Sequence, residues 1–123
     1  MSLIEVHLEG KRADAHLTDF VVKTGGGEAP SPGSLFLASI ATCTALTVAS
    51  YCQSNNLPTE GFRVKLDLER DPETRLATKI QMELVLPEDF PAARKRAVLR
   101  AAERCYVKRQ ILNPPVFETT IAE

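Results

Sequence analysis

Apolar and polar side chains alternate with a period of two from the start of the chain. Ile4, Val6 and Leu8 fall on one side and Glu5, His7 and Glu9 on the other, which is the pattern of a half-buried strand over residues 3–9. Gly10-Lys11-Arg12-Ala13-Asp14 reads as a turn into a second strand, His16 to Lys23, so the first predicted element is a hairpin. The same period returns later: Phe62, Val64, Leu66 and Leu68 alternate with Arg63, Lys65, Asp67 and Glu69. Beyond Asp71-Pro72-Glu73-Thr74 it resumes through Leu76, Thr78, Ile80, Met82, Leu84 and Leu86, which predicts a second hairpin. Val116 to Ala122 is a last short strand.

Between and after the hairpins the period changes. Gly25-Gly26-Gly27 and Ala29-Pro30-Ser31-Pro32 form a loop whose end starts a helix, with Ser31 as its cap and Pro32 at its first position. No strong turn signal follows until about Ser54, where Asn55-Asn56-Leu57-Pro58 supplies the stop. Ala29 to Thr59 carries no charge, so a membrane span has to be weighed. Ser39, Thr42, Thr44, Thr47 and Ser50 interrupt the apolar run, its length is near the minimum, and its flanks are Glu28 and Glu60 rather than basic residues. The expectation is instead a helix in the middle of a core, covered on all sides. It needs more sheet than one small domain supplies, which predicts a dimer. Pro87-Glu88-Asp89-Phe90-Pro91 opens a second helix to about Ile111, with Val98, Ala101, Ala102 and Cys105 on one apolar face; Asn113-Pro114-Pro115 ends it. The fold class is α+β.

Composition narrows the function classes. A chain of 123 residues, 44% hydrophobic and 25% charged, makes one domain, 1–123, and buries enough surface for a core without disulfide staples. A disulfide miniprotein, a collagen-like chain and a disordered tail are excluded. The net charge of -1 gives no global reason to bind nucleic acid or an anionic membrane. No secretory leader is read, and three cysteines without export point to the cytosol and to reduced or redox-active thiols.

Those cysteines are the first candidates for chemistry, because a thiolate is the strongest nucleophile a cofactor-free chain can field. Cys52 follows Cys43 by nine residues, roughly half a turn around the helix axis, so the two cannot share a site within that helix. Cys43 and Cys105 could meet across a helix contact. The plain alternative is three small buried hydrophobes. An activated Cys43 in mid-helix needs a cation nearby.

The run from Ala29-Pro30-Ser31-Pro32-Gly33-Ser34 through Ile40-Ala41-Thr42-Cys43-Thr44 to Val48 resembles the first cysteine motif of the OsmC/Ohr family, the osmotically inducible and organic hydroperoxide resistance proteins. Ala102 to Ile111, around Cys105, resembles its second cysteine motif, and the order of elements is similar over nearly the whole chain. The resemblance implies an OsmC-like fold, an intertwined homodimer whose antiparallel sheets wrap the long central helices. It implies thiol peroxidase chemistry as well: Cys43 attacks an organic hydroperoxide and becomes a sulfenic acid, and Cys105 resolves it as a disulfide. A dithiol reductant, lipoyl or thioredoxin-like, would then reduce that bond by exchange, with no metal and no organic cofactor. Bulky apolar peroxides are the expected substrates, given the Leu, Ile, Val and Phe around the thiol in sequence. The other function class for such a domain is non-enzymatic: a small-molecule or lipid-binding domain with residual cysteines.

Peroxidases of the family hold the thiolate with an N-terminal arginine, often oriented by a glutamate before the cysteine. Arg12 is the sole arginine before Cys43, with Lys11 and Lys23 as weaker replacements because they lack a planar fork. Gly33 and Ser34 carry no acid at the glutamate's place, and Glu28 is the only nearby substitute. Tyr106 stands where many relatives have proline. His7 and His16 lack partners at zinc-ligand spacing and read as surface histidines. Arg94, Lys95, Arg96, Arg100, Arg104, Lys108 and Arg109 make the second helix basic. The stripe reads as a solvated face paired with the acidic strands rather than a nucleic-acid footprint.

Overall fold

A computed structural model describes residues 2–123. Backbone contacts divide the chain into two units, one ending at Ala38 and one running Ser39–Glu123.

The first unit carries a three-stranded antiparallel sheet in the order β1 (Glu5–Glu9), β2 (Arg12–His16), β3 (Val21–Gly25). The expected hairpin is therefore a meander. Its second strand begins at Arg12, where a turn was expected, and the expected strand from His16 to Lys23 contains a reversal closed by the Leu17 amide on the Phe20 carbonyl at 2.8 Å. Alternation was present in Arg12-Ala13-Asp14-Ala15-His16, but alanine marks an inward position too weakly to stand out from turn composition. Register places Glu5 opposite His16, His7 opposite Asp14 and Glu9 opposite Arg12, which gathers the polar side chains on one face. Gly25 lies opposite Arg12 with φ of +80°. A Cβ there would sit 3.1 Å from the Lys11 carbonyl oxygen, so the loop that leaves β3 needs glycine for both conformation and room.

Helix α1 spans Pro32–Ser54, as the capping pattern predicts. Ser31 caps it, its hydroxyl accepting the Ser34 amide at 3.1 Å. At the other end Asn56 takes a left-handed φ of 54° and lets the Leu57 amide reach back to the Cys52 carbonyl at 2.8 Å, a helix stop that more often uses glycine. The helix is long and apolar enough to cross a membrane by length and composition. Within the chain it buries one stripe, Ile40, Thr44, Val48 and Cys52, while Leu46 on its other side stays 72% exposed.

In the second unit β4 (Arg63–Arg70) and β5 (Ala77–Val85) form the predicted hairpin, with Val64 opposite Leu84 and Leu66 opposite Met82. Asp71 closes its turn by accepting the amides of Glu73 and Thr74. Val48, Cys52, Phe90 and Val98 make the core cluster, with Tyr51, Leu57, Phe62, Leu84, Leu86 and Ala102 packed around it. Removing a valine side chain from water contributes about 2 kcal/mol, so Val48 and Val98, both fully buried, anchor it.

Two expectations fail here. The second helix is not continuous: a short 3-10 turn, Ala92–Arg94, leads into α2 (Lys95–Ala102), and after a break a separate α3 covers Tyr106–Leu112. Cys105 leaves the helical conformation, with ψ of 127°, and caps α3 instead of standing inside a helix. The second is the last strand: residues 113–123 form no strand, and Val116, Phe117 and Ile121 lie 87%, 86% and 92% exposed. Period-two alternation specifies a strand only where a neighbouring edge takes its hydrogen bonds, and this segment has none within the described chain.

Candidate active site

The long helix carries Cys43, half-buried on its flank, and the break after α2 brings Cys105 to it. All three cysteines are thiols in the structure. Cys105 is completely buried, with its sulfur 4.0 Å from the Ile40 carbonyl oxygen one helical turn before Cys43. The Cys105 thiol hydrogen-bonds the Cys43 sulfur, so the two residues do meet across a helix contact, though at a helix start rather than face to face.

Burial pushes the Cys43 thiol up, but four hydrogen bonds favour its thiolate and together bring it below an ordinary thiol. They come from the Val107 amide, the Cys105 thiol, the Tyr106 amide and the Thr47 hydroxyl. Two of the donors are thus the first amides of α3, freed by the helix break to point at a sulfur. Sequence reasoning asked for a cation and missed these amides. Glu103-Arg104-Cys105 has no glycine or proline to announce the helix break that frees them. Tyr106, unlike a proline, keeps the amide hydrogen that donates here.

Cys52 is elsewhere. It is buried in the Val48, Phe90 and Val98 cluster, and desolvation alone raises its pKa.

Arg12 lies in the first unit, where it makes a two-pronged ion pair with Asp14, Nε to Oδ1 at 2.8 Å and Nη2 to Oδ2 at 3.1 Å. Its remaining Nη1 reaches the Glu28 carboxylate at 3.2 Å. Asp14, two residues on along the same strand, faces the same way and is held below the usual carboxylate range, chiefly by the Arg12 hydrogen bonds. The guanidinium is correspondingly more basic than usual, mainly through Asp14. Glu28, the expected substitute acid, does pair with Arg12, and Asp14 is a second acid that sequence reasoning did not single out. Lys23 adds only a charge near Asp14.

A shallow groove of about 520 Å³ begins one turn along α1 from Cys43, lined by Leu46, Thr47, Ser50, Tyr51, Ser54 and Arg104. Its wall mixes the apolar Leu46 and Tyr51 ring with hydroxyl groups and an arginine. A second cleft, about 440 Å³, has Leu84, Leu86, Phe90 and Val98 in its wall together with Glu88 and Lys95, and borders the core cluster that holds Cys52.

His7 Nε2 donates to the Glu5 carboxylate at 2.8 Å, and its ring lies 4.4 Å from that of His16. Among the described residues no group of three or more His, Cys, Asp or Glu is placed to hold a metal ion. Among the described residues the basic stripe makes no ion pair with the acidic strands. Those pair across their own hairpin, Lys65 with Glu83 at 3.9 Å and Lys79 with Glu69 at 4.0 Å, while Lys108 pairs with Glu103 and Arg94 bonds the Asn55 side chain. Short-range partners simply outcompete distant ones.

With this geometry in place, comparison with known proteins adds the lineage. The model of the OsmC-like protein family matches residues 25–120. No curated protein sequence matches the chain. Among solved structures it is similar to an OsmC-like protein from Mycoplasma pneumoniae, at 12% identity over 89% of this chain and 85% of that one, with a TM-score of 0.75. It is similar also to an OsmC-like hydroperoxide resistance protein from Jannaschia sp. CCS1, at 15% identity over 98% and 91%, TM-score 0.61. A third likeness is to an organic hydroperoxide resistance protein OsmC from Legionella pneumophila, at 19% identity over 90% and 88%, TM-score 0.55. At such identities the likeness is one of fold.

Proposed function

The chain belongs to the OsmC-like family, and on that premise we propose that it is a thiol-dependent peroxidase that reduces organic hydroperoxides. One observation carries the reading: a half-exposed Cys43 whose thiolate is favoured by two main-chain amides and by the thiol of Cys105. Of the three cysteines only this one combines access with a depressed pKa. The Cys43 thiolate attacks the terminal peroxide oxygen, the O–O bond breaks, and the alkoxide leaves with a proton as an alcohol. Cys43 is then a sulfenic acid. Cys105 attacks its sulfur, water leaves, and a disulfide joins the two. A dithiol, lipoyl or thioredoxin-like, returns both to thiols.

Arg12 takes the cation's part in this reading, oriented by Glu28 and Asp14. A homodimer belongs to it too, supported by the exposed apolar residues Leu46 of α1, Leu8 of β1 and Phe117 of the C-terminal segment. The cycle suits a compartment that keeps thiols reduced, as the cytosol does.

The deciding measurement is consumption of an organic hydroperoxide with a dithiol present. Turnover should fall at least about a thousandfold in Cys43→Ser, in keeping with loss of a nucleophile. Cys105→Ser should reach the sulfenic acid and then over-oxidise, and Arg12→Ala should slow the first step. Failure of the wild type to consume peroxide with any dithiol would favour the binding-domain reading, for which the cleft of Leu84, Leu86, Phe90, Glu88 and Lys95 is the place to look.

A further inference from the structure

A disulfide offers a reductant two sulfurs, and here they are not equivalent. We infer that the reductant's thiolate attacks Cys43 and forms its mixed disulfide there, with Cys105 as the leaving thiol. The inference rests on the Cys43–Cys105 disulfide of the proposed function, though not on peroxide as its oxidant.

Thiol–disulfide exchange is a displacement in line with the S–S bond, so the attacking sulfur must come from behind the sulfur it strikes. Behind Cys105 lies the interior. Cys105 is 0% exposed, as are Ala101 four residues before it and Val98, and its sulfur abuts the Ile40 carbonyl. An incoming sulfur has no path there unless the segment opens. Cys43 is only half-buried, Ser50 on the same helix is exposed, and the groove along Thr47 and Ser50 begins one turn from it.

Leaving-group chemistry points the other way, and magnitude decides. Attack on Cys105 would release Cys43, whose thiolate the fold stabilises. The effect of leaving-group pKa on rate is a fractional power, roughly threefold per unit if its slope resembles the nucleophile's. Reaching a fully buried sulfur waits on a local opening that only a small fraction of molecules populate. Access therefore sets the first step. The reductant thiolate bonds to Cys43 as the Cys43–Cys105 bond breaks, and Cys105 leaves as a thiolate and takes up a proton. The second thiolate of the dithiol then attacks the reductant's own sulfur in the mixed disulfide. Its two thiols end as a disulfide, and Cys43 leaves as the thiolate that the Val107 and Tyr106 amides favour. A stabilised leaving group is thus used in the step that closes the cycle.

The test forms the disulfide in the intact protein with diamide and removes the excess. Glutathione follows, a monothiol that stops at the mixed disulfide, and N-ethylmaleimide then traps the freed thiol before unreduced peptides are mapped. Glutathione on Cys43 with maleimide on Cys105 is expected, at least about tenfold over the reverse pairing. Glutathione on Cys105, equal shares on both, or a disulfide that glutathione opens only in denaturant would overturn the inference. A diamide bond to Cys52 would overturn this inference and the two-cysteine mechanism together. The expected adduct in a protein that consumes no peroxide would uphold this inference and sink the peroxidase reading alone.

Discussion

Cys43 and Cys52 share a helix and differ in everything that makes a thiol reactive. Cys52 belongs to the buried stripe and sits among Val48, Phe90 and Val98, where nothing compensates its desolvation, so its pKa rises. Cys43 also loses water, yet the start of α3 and the Cys105 thiol replace it with directed hydrogen bonds, and the net shift is downward. The difference is not made by charge on α1, which carries none, and Cys52, though in its last turn, is raised by desolvation alone. What differs is the segment packed against each cysteine: on one side a hydrophobic cluster, on the other a broken helix with unspent amides.

Native-state alkylation is the strongest way to break that comparison. With a limiting small alkylating agent at neutral pH, Cys43 should react at least about a hundredfold faster than Cys52, which waits for the core to open. Mass mapping of the modified peptides at early times measures it. Equal rates would mean that the two environments do not differ in chemistry.

Much of this contrast was legible in the sequence, and the missing part has a physical cause. Helix α1 was bounded correctly because Ser31 and Pro32 at its start and Asn55-Asn56 at its end act locally, through capping bonds that composition advertises. The half-turn separation of Cys43 from Cys52 follows from helical geometry alone. The break between α2 and α3 did not show, because Glu103-Arg104-Cys105 has no glycine or proline to mark it, and so the amides that tune Cys43 stayed hidden. Asp14 escaped for a related reason: alternation with Ala13 and Ala15 is too faint to announce a strand, and without the strand Arg12 and Asp14 are not known to face the same way. The C-terminal segment failed oppositely. Its alternation was genuine, but no strand edge among the described residues takes its hydrogen bonds.

A smaller effect with opposite signs sharpens the comparison. Cys43, depressed in the fold, ionises first in the native state. Its contribution to stability is present above the unfolded thiol pKa and is lost as pH falls through the folded value. Cys52, raised in the fold, keeps its proton longest in the native state. Its contribution is present below the unfolded pKa and is lost as pH rises through the folded value. Urea midpoints across the thiol range should therefore show the wild type gaining on Cys43→Ser with rising pH and losing ground to Cys52→Ser. Parallel curves would contradict the assigned shifts.

The smallest effect concerns Thr47, whose hydroxyl is the last and weakest of the four groups favouring the Cys43 thiolate. It has one proton and two acceptors, the Cys43 carbonyl at 2.7 Å and the Cys43 sulfur, so it serves the sulfur only part of the time. Thr47→Val keeps the shape and removes the donor. The thiolate then loses a share of one hydrogen bond, which lowers the rate of Cys43 alkylation at neutral pH by roughly threefold and raises its pKa, with Cys52 unaffected. Because the Val107 and Tyr106 amides remain, Cys43 should still titrate below an ordinary thiol in this variant. A rise to or above the ordinary value would show that the hydroxyl, and not the start of α3, makes Cys43 different from Cys52.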